Sequence, residues 1–473
     1  IYQTNALNAV TTNAYSFDAN GQHVTTVTHP DGSTRIEHYY ADGQLAKVTG
    51  TGANPVRYEY GVEQDDGVWR QFRKEIKLDA SYADTPEWTK TYTDMLGRDY
   101  KTVFAAASTP YPYRQSFYNC LGQLWKERDP DGAVTLYGYD AKGQRVYTAI
   151  DINRNDQIDF NGTDRITWTT NDVTTYSGYN VTRSRTFVYG TNNSPATTLV
   201  SMTMTATSGL KSWSTAYRDG STPVTTLTET GCGPNGARTV TTTAPDGSST
   251  VNTYLYGRLQ SVTRKDSGGS QVSQTVYAYD AVGRVASSTD ARNGTTTYTY
   301  NNADQVTSTT APSLGTGEPQ QVTLTFYDTL GRVTGSQLPD GSTTTNSYYA
   351  TGLVKRTSGS RIYPVEYTYD AQGRMRTMKT WQNFAGNSGT ATTRWNYDPY
   401  RGWLKSKDYP DAGTGLPPAQ EGTGGPVYTY TPGGRLATRV WKRGVTTTYS
   451  YNNAGDLAAI SYTGGTPGTS YTY

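Results

Sequence analysis

At 473 residues the chain exceeds the length at which one hydrophobic core stops growing, so a compact globule would divide into domains, whereas a repeat array can lengthen in one direction. Hydrophobic residues make up 34% of it, but 41 of these are Tyr; scarce Leu, Ile and Met disfavour thick helical layers, and the wealth of aromatic and β-branched residues argues against disorder. A net charge of +2 without a basic stripe gives no footprint for nucleic acid, and no apolar run approaches the roughly 18 to 20 residues that span a bilayer.

Taken from the N-terminus, the chain repeats a phrase of the form Tyr-Asp-x-x-Gly-Arg. Copies read Tyr139-Asp140-Ala141-Lys142-Gly143-Gln144, Tyr279-Asp280-Ala281-Val282-Gly283-Arg284, Tyr327-Asp328-Thr329-Leu330-Gly331-Arg332 and Tyr369-Asp370-Ala371-Gln372-Gly373-Arg374. Looser ones begin at Phe17, Tyr39, Tyr118, Tyr300, Tyr348, Tyr430 and Tyr451. Where copies abut, Gly331, Gly352 and Gly373 recur every 21 residues, a fixed period that marks an architecture built by stacking one unit. Upstream lie runs such as Thr295-Thr296-Thr297-Tyr298-Thr299-Tyr300, whose Thr and Tyr are strand formers with alternate residues on one face. The Asp folds onto nearby backbone N–H groups and the Gly supplies positive φ, which is turn chemistry. A short return strand follows, closed in many units by Pro-Asp-Gly, as at Pro30, Pro130, Pro245 and Pro339. One repeat is therefore strand, turn, strand, turn. Repeats are expected to pair into one long antiparallel sheet that twists and coils, with the Tyr of one unit packed against the Tyr of the next.

Three stretches interrupt this rhythm. Residues 1–143 read as repeats with a charged insertion at 61–91, where Arg70 to Lys77 is expected to form a longer, protruding strand pair, with a short helix as the alternative. Residues 144–256 read as degenerate Thr-rich repeats. Residues 257–473 return to regular repeats around a Gly/Pro-rich insertion at 404–427, expected to project from the surface. At the start of the degenerate stretch, Asp151, Asn153, Asn155 and Asp159 place oxygen side chains at alternating positions of a calcium-loop pattern, with Gln157 offering its carbonyl. Asp156 stands where that pattern has Gly and Gly162 where it has the bidentate Glu, so Asp164 becomes the closing ligand for Ca2+. The same residues equally suit a metal-free Asx-turn linker.

Nothing in the sequence supplies a catalytic constellation: there is no phosphate loop, no His-Glu-x-x-His and no Gly-x-Ser-x-Gly elbow. His23, His29 and His38 read as strand and surface residues, and Cys120 and Cys232 as isolated thiols. Arg98, Arg284, Arg332, Arg374 and Arg435, each following a turn Gly, read as solvated or Asp-paired. A non-enzymatic role is expected.

The phrase, with its upstream Tyr-x-Tyr and downstream Pro-Asp-Gly, resembles the YD repeat of the RHS family. That family includes bacterial polymorphic toxins, the cocoon component of Tc toxin complexes, wall-associated surface proteins and teneurins. The resemblance implies an all-β spiral shell or tube, hollow and able to enclose a toxic polypeptide, in a secreted or bacterial cell-surface protein. The RHS-associated core with its self-cleaving aspartates and variable toxin tip has no counterpart in these residues. Because the chain opens at Ile1 and stops at Tyr471-Thr472-Tyr473, where another phrase would begin, it is expected to be a segment of something longer. Its partners would then be flanking repeats or identical subunits, and an enclosed toxin. An extracellular fibre or adhesin, or a carbohydrate-binding surface built on Tyr and Trp, are the alternative functions.

Overall fold

The computed structural model describes residues 2–190, 196–218, 220–315 and 317–472. Among these, 38 strands form one antiparallel sheet and the only helical segment is the three-residue turn Pro234–Gly236. The all-β antiparallel architecture expected from the repeats is present. Strands pair with their neighbours in sequence: Val134–Tyr139 with Arg145–Asp151, and Arg145–Asp151 with Arg165–Tyr176. Such local pairing follows from turns too short for a crossover.

Each phrase folds as the residue types dictate. In the copy at Asp280 the carboxylate Oδ1 accepts the N–H groups of Val282 at 3.0 Å, Gly283 at 2.8 Å and Arg284 at 2.9 Å. Gly283 sits at φ +98, a left-handed conformation that other residues adopt at a cost. The two strands then resume pairing with a register shift just before the Tyr, at Ala278/Tyr279. Identical shifts precede Tyr139, Tyr300, Tyr348, Tyr369, Tyr397, Tyr430 and Tyr451. The phrase is thus a hairpin turn closed by a bulge, which also raises the local twist.

The tyrosines do something other than the expected ring-on-ring packing. Some aromatic pairs occur, such as Tyr349 with Tyr369, perpendicular at 5.8 Å. The recurring contact, however, runs from the phenol to the preceding unit. Tyr139 donates to the carbonyl of Leu124 at 2.6 Å, Tyr279 to Leu259 at 2.6 Å, Tyr300 to Val285 at 2.8 Å, Tyr348 to Val333 at 2.7 Å and Tyr451 to Leu436 at 2.8 Å. Each acceptor lies at the start of the return strand of the phrase before. The turn arginine of that earlier phrase lies over the same ring: Arg284 over Tyr300 at 4.6 Å, Arg332 over Tyr348 at 4.9 Å and Arg374 over Tyr397 at 5.0 Å. The correction has a simple cause. Bulge and twist turn each phrase Tyr towards the neighbouring turn, where a carbonyl and a guanidinium await it. Each hydrogen bond contributes about 1 kcal/mol and each cation–π contact about 0.5–1 kcal/mol.

The chain divides into two compact units, residues 1–118, 127–133 and 325–473 forming one and 119–126 and 134–324 the other. In the first unit, the charged stretch takes the strand alternative. Val56–Asp65 and Val68–Leu78 pair along their whole length around a turn at Asp66 and Gly67 with φ +49 and +77. The Gly/Pro-rich insertion departs from expectation. Leu404–Asp408 is a strand, and the loop after it folds back instead of projecting. The fully buried Asp408 carboxylate accepts the N–H of Gly424 at 2.8 Å and bonds from Asn396 and Arg394 at 2.8 and 2.9 Å, while Gly415 accepts from Thr392 N–H at 2.8 Å. A buried carboxylate needs such donors, and the glycines let the loop backbone approach closely enough to supply them. Apolar clusters form in the second unit: Val134, Leu136, Ala149 and Ile166 beside the phrase at Tyr139, and Val181, Met204, Ala206 and Trp213 in the stretch without the phrase.

Candidate functional site

The loop after Arg145–Asp151 carries all six residues of the calcium-loop pattern, but it does not bring its carboxylates together around one point as ligands. Asp151 is fully buried; its Oδ1 accepts the N–H groups of Arg154 at 2.6 Å and Asn155 at 3.2 Å, and its Oδ2 that of Asp156 at 2.9 Å. Asp164, also buried, accepts from Ile152 N–H at 3.0 Å and Asp159 N–H at 3.1 Å. Asp159 Oδ2 accepts the amide groups of Asn153 at 2.6 Å and Asn155 at 2.8 Å. Gln157 is exposed, and its N–H donates to Asn155 Oδ1 at 2.9 Å. Asp156 takes the left-handed conformation, φ +62, that Gly provides in the pattern, and its carboxylate pairs with Lys126 at 2.7 Å. Burial, and then the charges of Asp151 and Asp159, push the Asp164 carboxyl pKa up despite its two N–H donors.

As folded, the loop is held by its own Asx-type hydrogen bonds, and among the described residues no group of three or more His, Cys, Asp or Glu is gathered as a metal ion requires. A cation would need Asn153 and Asn155 to turn their oxygens away from the present donor arrangement. The donor chemistry, three carboxylates with amide oxygens, suits a hard cation such as Ca2+.

A second cluster was invisible in the sequence. In the first unit, turn phrases of the C-terminal stretch grip strand ends of the N-terminal stretch, 287 to 304 residues away in sequence. Arg332 pairs with Asp31 at 3.2 Å, Arg374 with Glu87 at 2.8 Å, and Gln372 donates to the Leu78 carbonyl at 2.7 Å. Asp131 is the densest node: it accepts Gly433 N–H at 2.7 Å, the Thr431 hydroxyl at 2.8 Å and the Arg435 guanidinium, which also bonds Asp129 at 2.7 Å. Burial works against the Arg435 charge, but the bonds to Asp129 and Asp131 outweigh it and hold its pKa above the ordinary value. The expected Asp pairing also occurs within phrases, Arg284 with Asp280 at 2.8 Å and Arg374 with Asp370 at 2.7 Å. Arg435 differs because Thr431 occupies the Asp position of its phrase, which leaves its guanidinium for the distant carboxylates.

His23 and His38 lie on adjacent strands one register step apart and so face opposite sides, His23 against Tyr15 and Phe17, and His38 3.6 Å from Asp18. Cys120 and Cys232 are free thiols.

Residues 279–316 match the RHS repeat family model. No curated protein matches the chain in sequence. Among solved structures, the chain is similar to the crystal structure of TcdB2-TccC3-Cdc42, with 15% identity and a TM-score of 0.52 over 98% of this chain and 25% of that one. A Photorhabdus luminescens Tc holotoxin pore carrying a TccC3 mutation matches at 16% identity and a TM-score of 0.46, over 96% of this chain and 26% of that one. The chain thus spans about a quarter of the length of these structures. At such identity the first likeness is one of fold. The matched repeat and that fold together bear out the resemblance of this chain to the RHS/YD-repeat family.

Proposed function

We propose that the chain is a non-enzymatic wall segment of a large secreted or cell-surface protein of the RHS type, whose sheet encloses or delivers a toxic polypeptide. The observation that carries this reading is the set of arginine and aspartate clamps joining the two ends of the first unit. A sheet that merely extends meets its own residues only at neighbouring strands. One that winds back must fasten strand ends far apart in sequence, and Arg332, Arg374 and Arg435 do so. The likeness to the TcdB2-TccC3-Cdc42 structure supports the same reading at the level of fold. No helix among the described residues is long and apolar enough to cross a membrane. For the loop at 151–164 we propose Ca2+ as a structural ligand, since it would offset the mutual repulsion of Asp151, Asp159 and Asp164. Electron microscopy of the purified protein at its natural length tests the main proposal. Closed hollow particles are expected, and continuous filaments would instead establish the fibre alternative.

A further inference from the structure

At the tip of the charged hairpin in the first unit, one ion pair is shut away from water. Asp65 ends the strand Val56–Asp65, and its Oδ1 accepts Lys101 Nζ of the strand Asp99–Phe104 at 2.5 Å. Both side chains are only 10% exposed. In other lysine pairs, such as Lys90 with Glu63 and Lys126 with Asp156, the carboxylate is 37% and 46% exposed. The shelter has a local cause. Opposite Tyr92 the strand Asp99–Phe104 carries an extra residue, so Tyr100 and Lys101 both turn towards Asp65. The rings of Tyr92 and Tyr113, 5.9 and 4.7 Å from Nζ, close the remaining approach.

The groups around the pair are placed for more than attraction. The Tyr100 hydroxyl donates to the second oxygen of Asp65, Oδ2, at 2.5 Å, where negative charge would gather if a nucleophile attacked Cγ. The Asp66 carboxylate stands 4.0 Å from Nζ, near enough to take a proton from it. A cavity of about 420 Å³, lined in part by Asp65, Asp66 and Tyr100, opens beside them. An amine in contact with a carboxyl group, a donor on the oxygen that would become the oxyanion and a base beside the amine make up an amide-forming site.

We infer that Lys101 and Asp65 join covalently in an isopeptide bond. Asp66 takes one proton from the ammonium, and the freed amine attacks Cγ to form the Nζ–Cγ bond, with the charge on Oδ2 held by Tyr100. The Cγ–Oδ1 bond then breaks. Oδ1 leaves as water with two of the three ammonium protons, one of them returned by Asp66, and the third stays on the amide nitrogen. Ammonium and carboxylate thus become amide and water, and the water departs into the cavity. Two features drive the step. Contact gives the pair an effective concentration on the order of 10⁵ M or more, and exclusion of water removes the solvation that would hold amine and carboxyl in their charged, unreactive forms. The bond closes a ring of chain from 65 to 101 around the strands Val68–Leu78 and Asp84–Thr93, and that ring holds Glu87, the residue Arg374 grips across the seam. It would serve this wall as a disulfide serves others, while Cys120 and Cys232 are free thiols. The chemistry needs only these four side chains and stands whether or not the sheet encloses a cargo.

The test is mass spectrometry of the purified, denatured protein. A mass about 18 Da below that of the sequence, the loss of one water, is expected. Tryptic digestion should then yield peptide 58–70 joined to peptide 99–114, with no cleavage after Lys101. Lys101→Arg keeps the positive charge but cannot form this amide, and it should restore the full mass. Asp66→Asn should leave a fraction of the two peptides unjoined in freshly purified protein where the parent chain has none. The unsubstituted protein gives the primary reading, so the result does not depend on a variant folding. A full sequence mass, a water loss that persists in Lys101→Arg or maps to a succinimide at Asp66-Gly67, or complete joining in Asp66→Asn would overturn the inference.

Discussion

Asp131→Ala probes the seam that the scaffold reading rests on. The carboxylate, 17% exposed, accepts from Gly433 N–H, the Thr431 hydroxyl and Arg435, all on the far side of the seam. Hydrogen bonds to a charged acceptor contribute about 1.5–3 kcal/mol each when enclosed, but water still reaches this one, so the sum is discounted to about 2–4 kcal/mol. Arg435 keeps Asp129 and the Gly455 carbonyl at 3.0 Å, so it is not stranded. A double-mutant cycle with Arg435→Ala should therefore return a coupling of about 1–2 kcal/mol. A global melt is the wrong assay, because a long repeat array need not unfold as two states. Native-state hydrogen exchange resolves the seam directly: peptides covering 428–440 should lose protection in Asp131→Ala along with those covering 128–134. If only the 128–134 peptides respond, or the two substitutions add to within about 0.5 kcal/mol, the clamp does not hold the two stretches together.

Tyr279→Phe removes the 2.6 Å bond to the Leu259 carbonyl and should cost about 1 kcal/mol in the native-state hydrogen-exchange protection of the strands Arg258–Lys265 and Gln271–Tyr279, whereas Tyr256→Phe, 74% exposed, should cost nothing measurable. Equal losses at the two positions would refute the joint. The Asp280 carboxyl is held down to about 2 by the Arg284 backbone N–H and then by the Arg284 guanidinium. A depressed folded value means its contribution to stability is full above the unfolded carboxylate range near pH ~4 and is lost as pH falls through about 2. Carbon-13 NMR of the carboxyl should show that midpoint, and one at the ordinary value would contradict it. For the loop at Asp151, excess calcium should raise the melting temperature and chelator lower it, with Asp164→Asn erasing the difference. Identical melts in calcium and chelator would leave the loop a metal-free linker.

What was legible in the sequence was local. Asp-x-x-Gly with flanking Thr-x-Tyr specifies a hairpin because every requirement lies within seven residues, and Asp280, Asp328 and Asp370 accept the N–H groups the pattern assigns to them. The left-handed turn glycines, such as Gly331 and Gly373 at φ +77 and +79, follow from the same chemistry. The role of the phrase tyrosine was only half visible: its place on the strand was clear, but its acceptor depends on how far each bulge twists one hairpin against the next. The seam was not legible at all. Nothing about Arg435 sets it apart from Arg374 except that Thr431 replaces the expected Asp, and that vacancy matters only once Asp131 is brought near by the winding of the first unit. The fold-back of the insertion after Asp408 was hidden for a related reason. Gly and Pro signal departure from the strand, but whether a loop projects or folds back depends on a buried carboxylate in need of donors.

The choice of tyrosine as the repeating residue answers a physical difficulty of a wall built from one sheet. Aliphatic side chains gain most when wholly removed from water, which requires a covering layer, and fully buried apolar residues are sparse here. A phenol ring loses less by half-burial, because its edge carries a hydroxyl that satisfies a carbonyl of the adjacent unit and its face accepts the guanidinium of the turn before. The stabilisation is therefore made between successive units and needs no second layer. In the stretch without the phrase that coupling lapses, and an apolar cluster of Val181, Met204, Ala206 and Trp213 takes its place. It follows that tyrosine losses in the regular repeats should act independently of one another when several units apart, whereas losses within an aliphatic cluster should be strongly coupled, as neighbours sharing one cavity are.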